Sequence, residues 1–207
     1  MSPRTLLTLI VVGLAGCASS YQVVQFPQRE ADLYPLSQTR DGISVAIDEV
    51  TNPDRADRYF GTDLTRHGIL PVAVVISNNG EHRIVLKPSD VLLHQGIQII
   101  DPLPIETVVT LAKNQRWSLR SKTKKEVGAY FKELAFREMV IPPGETYQGV
   151  VFFPIKQPES NSDKFFSVLP LFPESRLQML VGARDLETAK RIHFGPFSLS
   201  LPRRDGD

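Results

Sequence analysis

The sequence has little cysteine, little net charge and no apolar run of membrane-spanning length. One cysteine in 207 residues cannot form an internal disulfide or a cysteine-rich zinc site. A formal net charge of +1 provides no generally basic surface, so nucleic acid is not expected among the partners. The apolar stretch Leu6 to Leu14 is about nine residues long, well short of the roughly 20 that a spanning helix needs. Catalytic signatures are missing too. His67, His82, His94 and His193 include no pair at helical ligand spacing, and there is no zincin motif, P-loop, Gly-x-Ser-x-Gly elbow or dinucleotide glycine fingerprint. No catalytic residue, metal or cofactor is therefore assigned, and a non-enzyme is expected. An envelope hydrolase stays open as the lesser alternative, because a serine–histidine–aspartate site can assemble in space without local sequence.

What is present is enough for a folded domain. Hydrophobic residues make up 42% of the chain, ample for a core, and the length suits one domain with an elaboration. Sixteen prolines and thirteen glycines predict many turns and few long helices.

The first seventeen residues read as a processing segment. Arg4 gives a short positive region, Leu6 to Leu14 the apolar region, and Leu14-Ala15-Gly16-Cys17 follows directly. This resembles the bacterial lipobox, with a branched apolar residue and two small residues before the cysteine. The resemblance implies a diacylglyceryl group on the Cys17 sulfur, cleavage before Cys17 and acylation of the new amine, with the thiolate as the nucleophile that serine would not match. Two or three acyl chains anchor a protein stably where one does not. The residues after the cysteine are Ala18 and Ser19, and the lack of aspartate at the first of them implies the outer membrane, periplasmic face. Arg4 accounts for the whole excess charge; without it the 23 acidic residues are balanced.

Residues 18–38 are polar and aperiodic and are expected to form a flexible tether, with a reach of roughly 25 Å. The domain is expected over 39–203, with a tail at 204–207. Ile43, Val45 and Ile47 alternate as in a half-buried strand, and Asn52-Pro53-Asp54 reads as a loop. A second strand is expected from Ile69 to Ser77, turning at Asn78-Asn79-Gly80 into a hairpin with Arg83 to Leu86. Short strands follow on either side of Gln95-Gly96. Ile105, Val108, Val109 and Ala112, then Val127, Tyr130, Phe131, Leu134 and Ala135, have helical spacing, so 104–138 reads as a helical insertion. Strands return at Tyr147 to Phe153, Phe165 to Leu169 and Arg176 to Val181, and the last pairs with Ile192 to Leu201. About seven to nine short strands predict a mainly β, antiparallel sandwich.

The segment Ile141-Pro142-Pro143-Gly144-Glu145-Thr146, with Gly149-Val150-Val151-Phe152-Phe153 after it, resembles a turn and strand common in Ig-like sandwiches. Tyr59-Phe60-Gly61, Asp63-Leu64, Gly68-Ile69-Leu70-Pro71-Val72 and Asn78 resemble outer-membrane lipoproteins of unassigned function. Together they imply an Ig-like β-sandwich and an envelope location, without any chemistry.

Three groups of residues invite a functional reading. Asp48-Glu49 and Asp54 with Asp57 are carboxylate groupings; a solvated strand end and a polar loop explain them, and a cation loop over 54–63 lacks regular oxygen spacing. Lys113, Arg116, Trp117, Arg120, Lys122, Lys124 and Lys125 form a basic segment with no acidic residue. It suits anionic headgroups or an acidic partner surface, and equally a solvated loop whose Trp117 packs inward. Phe165-Phe166-Ser167-Val168-Leu169-Pro170-Leu171-Phe172-Pro173 is a contact patch if exposed, and a core strand if buried; burial is expected. Tyr59-Phe60-Gly61 is expected to plug the open end of the sandwich. The functional expectation is a lipid-anchored, non-enzymatic interaction or scaffold module with an envelope protein as partner. The alternative is a module for a lipid or small apolar ligand, with the 104–135 helices as its lid.

Overall fold

The structure is a computed structural model, and it describes residues 25–114, 124–155 and 177–200. Two antiparallel sheets pack face to face. The first contains β1 (Ser37–Arg40), β2 (Ile43–Glu49), β3 (Ile69–Asn78) and β8 (Thr146–Pro154), in that order. The second is built on β9 (Leu177–Asp185), which pairs along one edge with β10 (Arg191–Leu199). Its other edge takes β4 (Ile84–Leu86) and β5 (Val91–Gln95) in succession. These are one strand broken by the 3-10 turn Pro88–Asp90, where proline cannot donate to a ladder. β6 (Gln98–Ile100) and β7 (Met139–Ile141) complete the outer edge. β2, β3 and β8 face β4/β5, β9 and β10 across the interior. The expected mainly β sandwich is what the chain forms.

The interior follows from period-two alternation. Ile43, Val45 and Ile47 of β2, Leu70, Val72, Val74 and Ile76 of β3, and Val151 and Phe153 of β8 meet Ile84, Leu86, Val91, Leu93, Met179, Val181 and Phe194 from the second sheet. The first sheet is not half-buried, however. All ten residues of β3 are buried, and so are Ser44 and Ala46 between the inward residues of β2. Its outer face carries a third layer.

Part of that layer is α1 (Pro53–Phe60), where the sequence reading expected a loop. Its signals are ordinary ones: Asn52 accepts from the Arg55 amide, Pro53 occupies the first turn, and Gly61 ends the helix at φ 72°. Tyr59 and Phe60 do not plug the gap between the two sheets; they lie buried on the outer face of the first sheet, near the end where β3 begins. The helical insertion forms as expected, with α2 (Ile105–Asn114) and α3 (Lys124–Leu134). Both of its ends are sewn to β8, where the Leu103 amide donates to the Phe152 carbonyl at 2.7 Å and the Phe136 amide to the Val150 carbonyl at 2.8 Å. Gly149 permits this, because a Cβ there would meet the Phe136 Cα at 2.7 Å.

The tether expected over 18–38 is, from Gln25 onward, part of the packed domain. Phe26 stacks on Tyr59 with ring centroids 4.1 Å apart, Ala31 is fully buried against Ala46 and Val75, and β1 pairs with β2. The Ala31 amide donates to Ser77 Oγ at 2.9 Å. The expected hairpin at Asn78-Asn79-Gly80 is also corrected. β3 pairs with β2 and β8, and the turn carries the chain across to β4 in the other sheet. Local turn chemistry is the same for a hairpin and a crossing; pairing partners decide between them. The β5–β6 and β9–β10 hairpins form where expected. The strand expected at Phe165 to Leu169, and the whole stretch to Pro173, lie outside the described residues. Among the described residues no helix is long and apolar enough to cross a membrane.

The third layer makes a quantitative prediction. Phe60 is fully buried between Phe131 of α3 and Phe152 of β8, so Phe60→Ala is expected to cost about 3–5 kcal/mol in urea denaturation. Leu33→Ala, at a side chain 67% exposed, should stay within about 0.5 kcal/mol. Equal losses at the two positions would contradict the packing described.

Candidate interaction surface

The antiparallel registers define two ends of the sandwich. At one end lie the last residues of β2, α1, the first residues of β3 and the last of β10, tied by the Ser200 amide donating to Glu49 Oε1 at 3.2 Å. At the other end lie the turn 41–42, the crossing 79–83, the turn 142–145 and the hairpin loop 186–190.

Asn78 organises this loop end. Its side chain is fully buried and uses its donors on the carbonyls of His82 at 2.8 Å and Ile141 at 2.9 Å, while Oδ1 accepts from the Gly80 amide at 3.1 Å. Its backbone accepts from Gly144 and donates to Glu145. A buried amide satisfied in this way fixes the 79–83 crossing and the 141–145 stretch against each other. Gly42, at φ 75°, completes the packing: a Cβ there would stand 2.8 Å from the Gly80 Cα.

Ion pairs brace the exposed rim. His82 Nδ1 lies 2.9 Å from Asp185 Oδ2, Arg83 Nε donates to Glu187 Oε1 at 2.8 Å, and Lys190 Nζ to Asp41 Oδ2 at 2.8 Å. Asp185 Oδ1 accepts from the Glu187 and Thr188 amides at 2.9 and 2.8 Å, an Asx turn that shapes the loop. The Thr188 amide foremost, with His82 adding to it, holds the Asp185 carboxyl down at about 2. The hydrogen bond to Asp185, then its charge, raises the His82 imidazole above its ordinary 6.5. The Arg83 hydrogen bond lowers Glu187. Leu186 stands 41% exposed amid these charges.

Among the carboxylates singled out in the sequence, Asp48 and Glu49 accept hydrogen bonds through their side chains. Asp48 makes a two-pronged pair with Arg55, at 3.1 and 2.6 Å, and that hydrogen bond raises the guanidinium pKa. Glu49 accepts from Ser200, and Asp54 lies in the first turn of α1. Asp63 accepts from the Thr65 amide and hydroxyl and pairs with Arg66. The 54–63 stretch is thus helix and cap, which corrects the loop reading. His67 Nε2 lies 3.4 Å from Thr62 Oγ1, and His94 sits in β5 with a buried Nε2. Among the described residues no three His, Cys, Asp or Glu side chains gather as metal ligands. Phe60 of α1, Phe131 of α3 and Phe152 of β8 stand with centroids 6.0 to 6.1 Å apart, an aromatic cluster that packs the helices against the first sheet.

Cys17, Arg116, Trp117, Arg120 and Lys122 lie outside the described residues. Lys113 belongs to the end of α2, and Lys124 and Lys125 to the start of α3. The sequence reading missed the loop-end cluster of Asp41, His82, Arg83, Asp185, Glu187 and Lys190. The Asx turn was visible as Asp185-Leu186-Glu187-Thr188; its pairing with a histidine 103 residues away was not.

No family model matches the chain, and no curated protein matches it. Among solved structures it is similar to a putative lipoprotein (ycdA) from Bacillus subtilis subsp. subtilis str. 168, with 14% identity, a TM-score of 0.40, and coverage of 81% of this chain and 38% of that one. The chain thus spans well under half the length of that protein. It is also similar to the yjhA protein from Bacillus subtilis, with 10% identity, a TM-score of 0.38 and coverage of 77% and 94%. The putative ApaA protein from Bordetella pertussis matches at 12% identity, a TM-score of 0.35 and coverage of 82% and 98%.

The loop-end charges set a pH window. The raised His82 contributes stability that is complete below 6.5 and lost as pH rises through its raised value. The lowered Asp185 contributes above its ordinary 3.8, and that contribution is lost as pH falls through about 2. NMR titration should place His82 above 6.5 in the native chain and return it toward 6.5 in Asp185→Asn. A His82 midpoint unmoved by that substitution would contradict the pairing.

Proposed function

We propose that the chain is a lipid-anchored, non-enzymatic interaction module of the cell envelope. Diacylglyceryl and N-acyl groups on Cys17 hold it at the periplasmic face of the outer membrane, and the loop end of the sandwich engages a protein partner. The observation that carries this reading is how the loop end spends its chemistry. The Asp185 carboxylate serves both His82 and two backbone amides, and Arg83 and Lys190 are committed to Glu187 and Asp41. The groups that would do acid–base work are used to brace loops, and a braced, polar surface with Leu186 within it suits recognition. The basic residues Lys113, Arg116, Arg120, Lys122, Lys124 and Lys125, with Trp117 among them, carry the charge that anionic headgroups or an acidic partner would recognise. The apolar-ligand alternative asks for a cavity where Phe60, Phe131 and Phe152 pack against one another.

Two readouts in intact cells test the proposal. Feeding an alkyne fatty acid should label the native chain and leave Cys17→Ser unlabelled. A photo-crosslinking side chain at position 81 should give a discrete protein adduct. Label retained by Cys17→Ser contradicts the anchor, and a position 81 that joins no protein contradicts the interaction role.

A further inference from the structure

The N-terminal segment has a consequence for how the domain stands on a membrane. It joins the packed body at Phe26, whose ring stacks on Tyr59 at 4.1 Å and 17° and lies 5.8 Å from Phe60. The Pro27 carbonyl then accepts from the Tyr34 hydroxyl, and Ala31 is fully buried. Tyr59 and Phe60 end α1, which follows the last residue of β2. Phe60 lies 6.1 Å from Phe131, and the Tyr130 hydroxyl donates to the Tyr59 carbonyl at 2.6 Å, so the middle of α3 belongs to the same end. The point of entry is therefore the end of the sandwich opposite the loops.

The nine peptide steps from Cys17 to Phe26 span at most roughly 32 Å, whatever their conformation. The ten residues of β3 give the sandwich a length of about 30 Å from that end to the loops. We infer that a lipid bilayer is the neighbour of the α1–α3 end, and that the loop end with Asp41, His82, Asp185 and Lys190 is the membrane-distal surface. This rests on the lipid-anchored reading of Cys17. The leash keeps the α1–α3 end within roughly 32 Å of the bilayer, while the loop end can stand further out by up to the ~30 Å length of β3.

The test uses the acylated full-length chain in phospholipid vesicles carrying a spin-labelled headgroup. With Cys17 acylated, one introduced thiol takes a fluorophore: Arg58→Cys on α1, or Glu81→Cys in the crossing loop. Quenching at position 58 is expected to exceed that at 81 by about two-fold or more over the ~30 Å separating the ends. A flexible insertion after Ser20 should abolish the difference. Co-flotation with vesicles reports the anchor independently. A chain that floats but is quenched equally at both positions, or more at 81, overturns this orientation and leaves the anchor standing. A difference that survives the insertion overturns the role of the leash, and a chain that does not float overturns both the anchor and the orientation.

Discussion

A strand with every residue buried must be covered on both faces, and β3 is such a strand. One face is covered by the second sheet through Leu70, Val72, Val74 and Ile76. The other carries Ile69, Ala73 and Val75, and these must be kept from water by something beyond the sandwich. The chain meets that need three times over. α1 delivers Phe60, the 104–138 insertion delivers Val108, Val109, Val127 and Phe131, and the segment from Phe26 to Tyr34 delivers Ala31. The small residues Ala46, Ala73 and Gly149 let these elements approach closely. The molecule is therefore a sandwich with a third layer, and the helices belong to the core as much as the strands do.

That arrangement explains which parts of the fold were legible in the sequence. The alternation in β2, β3 and β8 was plain, as was the helical spacing of Ile105, Val108 and Val109, because each element buries an apolar stripe at its own period. The burial of the second face of β3 was not plain, because Ala73 and Ser77 read as ordinary outward residues. α1 was passed over because only Ala56, Tyr59 and Phe60 face inward in its eight residues, although Asn52, Pro53 and Gly61 announce it. The N-terminal segment hides in the same way: it is held by a few contacts, Phe26 and Ala31 among them, in a polar stretch with no period. The loop-end cluster joins residues more than a hundred positions apart, and local spacing does not carry that information. The reading of Cys17 rests on its sequence neighbours alone, and that residue lies outside the described ones.

The two ends of the sandwich have different characters. The end with α1 and Phe26 is aromatic inside and receives the chain from Cys17. The opposite end is polar, organised by one buried asparagine and rimmed by three ion pairs. The division follows from topology. Strands that begin together at one end place their connecting turns together at the other, so residues from four separate turns meet there without any further device.

The central claim is that the third layer is part of the cooperative core. Amide hydrogen exchange measures this directly by comparing β3 with Val108, Val109 and Phe131 of the helices. The account expects all of them to exchange only through global unfolding, with the same free energy of opening. Helical amides that exchange freely while those of β3 stay protected would show the layer to be an appendage, and would contradict it.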